Sequence, residues 1–163
     1  MGSRSSSTKD TNLAYIAGFL DGDGSLMLQV KKRSDSGKGV RFMATICLYQ
    51  DTRHEEPLLW IQKQVKCGYI SRRNDGMTEV RINGFSQVRG ILEMLLPYIR
   101  FKRVQARALL KACLMLEKQT LRTLSQRDIR TIVDLILLIQ QENYMSKGRR
   151  TKEDLYQLLG LTP

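Results

Sequence analysis

Asp21 and Asp23 stand one residue apart in the stretch YIAGFLDGDGSL (15–26), among Gly18, Gly22 and Gly24. The chain carries 27 Lys and Arg against 16 Asp and Glu, a formal charge of +11, so two neighbouring acids need a reason. The plainest use of DGDG is a solvated turn or a helix C-cap, because glycine ends helices. A twelve-residue calcium loop is excluded, since its sixth position would be Leu26 in place of Gly and its twelfth Lys32 in place of Glu. The chemistry that remains is a hard oxygen site. One or two carboxylates with exposed backbone carbonyls at a helix end suit a Mg²⁺ (or Mn²⁺) ion that keeps waters and substrate phosphates.

Positive charge is spread along the chain, which makes a polyanion the first expected partner, because each neutralised phosphate releases counterions. An ordinary basic protein is the alternative on charge alone. With 163 residues, 42% of them hydrophobic, one domain can bury a sizeable core. Cys47, Cys67 and Cys113 are odd in number and form no CxxC pair, so neither a disulfide framework nor a zinc site is indicated and a reducing, intracellular setting fits. No apolar run reaches the roughly 18 residues of a membrane span, and no membrane partner is expected. MGSRSSSTKD (1–10) lacks the apolar core of a secretory signal. It reads as a disordered leader or appended segment outside the fold, leaving 11–163 as a single domain.

The acids must be positioned by the elements around them. Thr11 or Asn12 can cap a helix over 13–21 that Gly22 and Gly24 stop. Leu13, Ile16 and Leu20 share one face of it, while Ala14, Gly18 and Asp21 line another, small enough for a second helix to approach closely. SLMLQVKKR (25–33) and VRFMATICLYQ (40–50) read as strands joined by the turn-rich SDSGKG. A helix over 52–65 follows, with Pro57 near its first turn. GYISRR and MTEVRING form a second hairpin about NDG (74–76). Helical spacing then predicts a helix ending at Pro97, two longer ones over 100–118 and 125–143, and a short one over 151–159. This order implies an α+β fold, a four-stranded antiparallel sheet with helices on one face.

With Ala17, Gly18, Asp21, Asp23 and Gly24 in register, YIAGFLDGDGS resembles the LAGLIDADG motif of intron-encoded homing endonucleases. Ile16, Phe19 and Leu20 are apolar variants of it, and Gly22 replaces the usual Ala. The similarity covers about residues 12–120 and implies the αββαββα fold, whose sheet forms a DNA-binding saddle, followed here by C-terminal helices. One motif copy implies a homodimer packed along Ala14, Gly18 and Asp21. In that arrangement Asp21 is mainly structural, while Asp23 and the Gly22 carbonyl, one set from each subunit, hold metal. The resemblance also implies that Gln50 orients the attacking water and that Lys102 stabilises charge on the phosphoryl oxygens, with either Arg53 or His54 beside them. The implied activity is a double-strand break in a long, nearly palindromic DNA site by Mg²⁺-dependent phosphodiester hydrolysis, serving the homing of an intron, with a chloroplast or mitochondrial genome suggested and archaeal and bacterial hosts left open. Two other functions use the same fold: an RNA maturase that assists intron splicing and a non-catalytic DNA-binding regulator.

Strand alternation selects the side chains that face nucleic acid. They are Met27, Gln29, Lys31, Arg33, Arg41, Met43 and Thr45 on the first hairpin, and Ser71, Arg73, Glu79 and Arg81 on the second. A two-stranded ribbon fits the major groove, where Arg and Lys suit guanine and Gln suits adenine. Lys32 and Arg72 break the alternation and are expected to reach phosphate or solvent. SKGRRTK (146–152) is expected to touch the phosphate backbone or to form a free basic tail.

Overall fold

A computed structural model of the chain describes residues 3–33, 39–144 and 148–162. Helix α1 (Ser3–Asp23) leads into strands β1 (Gly24–Lys32) and β2 (Val40–Asp51), followed by a 3-10 turn (Thr52–His54) and helix α2 (Glu56–Val65). Strands β3 (Tyr69–Arg72) and β4 (Met77–Asn83) come next, then α3 (Phe85–Leu95), α4 (Arg103–Leu116), α5 (Gln126–Glu142) and α6 (Lys152–Leu159). The four strands form one antiparallel sheet in the order β1-β2-β4-β3. No described helix is long and apolar enough to cross a membrane.

Alternation in the strands divides the sheet into two faces. Leu26, Leu28, Val30, Phe42, Ala44, Ile46, Leu48, Val80 and Ile82 are buried in one continuous core with Ile16, Ala17 and Leu20 of α1 and the apolar faces of the later helices. The expected α+β class and element order hold. The opposite face has no covering helix among the described residues. The β2–β4 ladder runs only from Thr45 to Asp51. Beyond it, the pairs Leu28↔Ala44 to Lys32↔Val40 project as a two-stranded ribbon.

Three expectations change. Helix α1 begins at Ser3, so residues 3–10 are helical, and the Tyr98 hydroxyl donates to Asp10 at 3.1 Å. Thr11 and Asn12 therefore lie inside the helix, and the Thr11 hydroxyl bonds back to the Ser7 carbonyl at 2.8 Å in place of capping a helix start. The stretch 52–65 is split, because the Asp51 carboxylate accepts from Arg53 N and closes the 3-10 turn before Pro57 opens α2. Of the SDSGKG turn, residues 34–38 lie outside the described residues.

No loop separates α1 from β1, and Gly24 is the residue that permits this. A Cβ there would lie 2.5 Å from Leu20 Cδ1, 2.8 Å from the Leu20 carbonyl oxygen and 2.9 Å from Leu20 Cα. Two of these atoms are backbone and cannot turn aside. Gly24→Ala is accordingly expected to cost about 1–3 kcal/mol in urea unfolding, as overpacking does. An unchanged midpoint would show that the junction has room to spare.

Candidate active site and nucleic-acid interface

Helix α1 ends where α4 begins, and the two termini exchange side chains. Asp21 accepts from Arg100 N at 2.7 Å and from Lys102 N at 2.9 Å, so its carboxylate holds the turn that starts α4. Lys102 in turn donates its Nζ to the carbonyls of Leu20 at 3.0 Å and Asp21 at 2.6 Å, at the end of α1. The signs agree with both helix dipoles, an anion at an N-terminus and a cation at a C-terminus. Lys102 is only 8% exposed. Burial pushes its pKa below the ordinary 10.5, and the carboxylates of Asp21 and Asp23 pull it part of the way back.

These bonds separate the roles of the two acids. Both Asp21 oxygens are committed to backbone N–H groups. Asp23, the last residue of α1, is exposed, and its carboxylate makes no hydrogen bond or ion pair with the described residues. Of the four carbonyls that end α1, those of Leu20 and Asp21 take the Lys102 ammonium, leaving Gly22 and Asp23. An exposed carboxylate beside a peptide carbonyl is the hard-oxygen donor set that suits Mg²⁺ or Mn²⁺. Among the described residues there is no group of three His, Cys, Asp or Glu that could hold a metal, and Asp23 with a carbonyl offers fewer oxygen donors than the full shell of a divalent cation.

Gln50 reaches the same end of the sheet. The register sets Gly24 opposite Leu48, so two residues further along β2 Gln50 lies beside the end of α1, its Oε1 fixed by Asp51 N at 2.9 Å. Arg53 is drawn to Asp51 at 2.7 Å, and its guanidinium holds that carboxyl well below the usual carboxylate range. His54 is exposed. Gln105, one turn into α4, is 4% exposed and donates to the Glu142 carbonyl at 3.1 Å, joining the start of α4 to the end of α5. The sequence reading did not single it out, and its buried amide has no local signature.

The helix-free face carries the side chains that alternation selects. Cross-strand rows run Met27–Thr45–Asn83, Gln29–Met43 and Lys31–Arg41 on the first hairpin, and Cys47–Arg81–Tyr69 and Tyr49–Glu79–Ser71 towards the second. Lys31, Lys32 and Arg41 are exposed and enter no salt bridge among the described residues. The second hairpin differs, because its cations are paired. Arg73 meets Asp75 at 2.6 Å, and Arg72, turned off the face, meets Glu55 at 2.8 Å. Glu79 departs from its expected role as an open contact. It is 6% exposed, paired with Arg81 at 3.1 Å, and accepts from the Cys47 thiol, whose pKa burial and Glu79 together raise to about 12. Thr45 is on the expected side but fully buried, donating to Asn83 at 2.8 Å. The Ser25 and Tyr49 hydroxyls bond to each other on the same face. Register arithmetic, which needs the turn lengths, is the signal that would have joined them.

In the basic stretch at 146–152, residues 146 and 147 lie outside the described residues. Arg149 and Arg150 donate to the backbone carbonyls of Asn143 and Val30, and Lys152 approaches Asp134 at 3.6 Å. Ala14 and Gly18 remain exposed on α1, and a Cβ built on Gly18 meets nothing within 4 Å. With Asp21, Gly22 and Lys102 they line an open cleft whose rim carries Phe101, 82% exposed, and Tyr144, 91% exposed.

Residues 16–110 match the family described as LAGLIDADG endonuclease. The chain is 31% identical over 137 residues to the DNA endonuclease I-CvuI of Chlorella vulgaris, covering 84% of this chain and 81% of that one. It is 27% identical over 99 residues to the DNA endonuclease I-CreI of Chlamydomonas reinhardtii, covering 61% and 60%. The crystal structure of I-CvuI in complex with its target in the presence of 2 mM Ca aligns with a TM-score of 0.79 at 27% identity, over 96% of this chain and 99% of that one.

The Lys102 environment sets a pH dependence. Its folded pKa lies below the unfolded 10.5, so the folded state loses the proton first. The burial cost is therefore present in full at lower pH, and stability rises as pH climbs from the folded value towards the unfolded one. NMR titration of the Lys102 side chain is expected to give a midpoint below that of the exposed lysines, and Lys102→Met should remove the matching rise in stability. A midpoint at or above the ordinary value would refute the buried placement.

Proposed function

The chain belongs to the LAGLIDADG endonuclease family, and on that premise we propose that it is a site-specific DNA endonuclease. It acts as a homodimer that makes a double-strand break in a long, nearly palindromic target by divalent-metal-dependent phosphodiester hydrolysis. The observation that carries this reading is the Asp23 carboxylate, without a partner among the described residues and within electrostatic reach of the buried Lys102 ammonium, at the end of a helix whose outer face is bare. A pure DNA binder has no use for an unpaired acid aimed at phosphate. The genetic setting, intron homing, rests on the resemblance, which suggests a chloroplast or mitochondrial genome and leaves archaeal and bacterial hosts open. The relative I-CvuI was crystallised with its target in the presence of Ca, in keeping with a divalent cation, and the oxygen donors here suit Mg²⁺ or Mn²⁺.

Asp23 and the Gly22 carbonyl of each subunit would hold the cation, which when bound lowers the pKa of water and neutralises developing charge on phosphate. The residues of the chain do the rest. Lys102 has three N–H donors and spends two on α1 carbonyls, leaving one for a phosphoryl oxygen. The Gln50 amide, fixed through its oxygen by Asp51 N, keeps its NH₂ group to orient the attacking water. The ribbon carries unpaired Lys31 and Arg41 to the phosphates and base edges, while Arg81 is aimed by Glu79. Two copies packed along Ala14 and Gly18 bring their Asp23 residues together, and the two-fold symmetry matches a palindromic site.

Asp23→Asn keeps the shape and removes the charge. Cleavage in Mg²⁺ should fall by at least about a hundredfold, as loss of a metal-assisted step implies, while binding to the same DNA persists. Full cleavage by that variant would falsify the assignment. Gly18→Leu should keep two copies of α1 apart, and sedimentation is expected to show monomers that no longer cut both strands. A monomer of wild-type chain that still makes the double-strand break removes the dimer from the proposal.

A further inference from the structure

Strand β1 lies at one edge of the sheet, where a row of backbone groups is left without a strand partner. Side chains from the segment leaving α5 take that place. Asn143 Nδ2 donates to the Leu26 carbonyl at 3.2 Å, and Arg150 Nη1 donates to the Val30 carbonyl at 2.9 Å. The two accepting groups are separated by about 13 Å of strand. Both donors are held in turn. Gln140 Oε1 accepts from Arg150 N at 3.0 Å, and Arg149 donates to the Asn143 carbonyl at 2.6 Å, closing the segment on itself.

The location of these bonds matters because support along β1 is uneven. Near Leu26 the strand is backed through β2 by β4, but the β2–β4 ladder stops at Thr45↔Asn83. Val30 lies on the ribbon beyond it, where Phe42 is its single strand partner and the core packing of its side chain is its other support. Gln29 and Lys31 flank Val30 with their side chains on the open face, and contacts to base edges demand placement within about 0.5 Å. Arg150 therefore braces β1 where the sheet has narrowed to two strands, and Asn143 anchors the strand close to where it leaves α1.

We infer that Asn143 and Arg150 are positioning residues for DNA sequence recognition, setting β1 so that Gln29 and Lys31 meet the correct base pairs. The inference rests on the proposed reading that the helix-free face meets DNA. It also gives the basic segment a role other than phosphate contact, since the Arg150 guanidinium is turned onto a strand carbonyl and Asn143 has no charge to offer.

The test is selection of bound sites, in Ca²⁺, from a DNA library randomised across the half-site, using the full-length protein. Gln29→Ala and Lys31→Ala identify the base pairs that β1 reads, and Arg73→Ala those of the second hairpin. Asn143→Ala and Arg150→Met are each expected to lower discrimination at the β1 base pairs by about fivefold or more, the lower end of what one good base contact provides. Preference at the second-hairpin base pairs, and the salt dependence of binding for Asn143→Ala, should stay unchanged. If Arg150→Met does not fold, Asn143→Ala decides alone, because its side chain is small and uncharged. An unaltered profile with uniformly weaker binding and a shallower salt slope would overturn the inference and make Arg150 a phosphate contact. A wild-type protein with no base preference anywhere would instead defeat the endonuclease reading, leaving the structural brace intact.

Discussion

The end of α1 and the start of α4 present unsatisfied backbone groups of opposite polarity, and the fold sets them against each other. Asp21 supplies a carboxylate to two N–H groups, and Lys102 returns an ammonium to two carbonyls. Lys102 would not be tolerated at its depth without those acceptors, because an unpaired buried ammonium costs several kcal/mol, roughly what its lost hydration was worth. Together they lock two helices that come from distant parts of the chain, the bonded residues lying 79 to 82 positions apart. The clamp uses up Asp21, and by doing so it leaves Asp23 as the acid free to act. It also holds a cationic side chain within electrostatic reach of that acid.

Around this clamp the positive charge is divided between two uses. On the second hairpin the arginines are paired with carboxylates, Arg72 with Glu55, Arg73 with Asp75 and Arg81 with Glu79, which fixes their direction and reduces their attraction for phosphate. On the ribbon, Lys31, Lys32 and Arg41 carry no such partner among the described residues. The proposed division follows from this. In the proposed function Lys31 and Arg41 of the ribbon supply attraction and, with Gln29, base contacts, while Arg73 and Arg81, each directed by a carboxylate, add orientation-dependent contacts. The buried Cys47–Glu79 contact stiffens the middle of the face in the same sense.

Much of this was legible in the sequence because the signals are local. Alternation in 25–33 and 40–50 assigned the correct face to nearly every strand residue, since period two depends only on the backbone. Helical spacing located the later helices within a few residues. The DGDG stretch was not decisive by composition alone, because a C-cap and a metal site require the same residues, and it was the wider motif resemblance that separated Asp21 from Asp23. Apart from Thr11, what escaped is non-local. Thr11 looked like a cap because a hydroxyl can accept from free N–H groups, yet inside a longer helix it donates backwards. Glu79 looked exposed by alternation, but its neighbours across the ladder, Cys47 and Arg81, enclose it. Asn143 and Arg150 reach carbonyls 117 and 120 residues away, and no periodicity encodes a side chain bonding to a distant edge strand.

In the proposed function the two acids of one short stretch have separate duties, Asp21 holding the fold and Asp23 holding the metal. Diffraction from the protein bound to its target DNA with Mn²⁺, read at the manganese absorption edge, tests it most directly. An anomalous peak is expected within about 2–2.5 Å of an Asp23 carboxylate oxygen, the range for a hard divalent cation on oxygen, with Asp21 still bonded to Arg100 N and Lys102 N. A peak on Asp21 with its backbone bonds broken, or none within reach of Asp23, would contradict it.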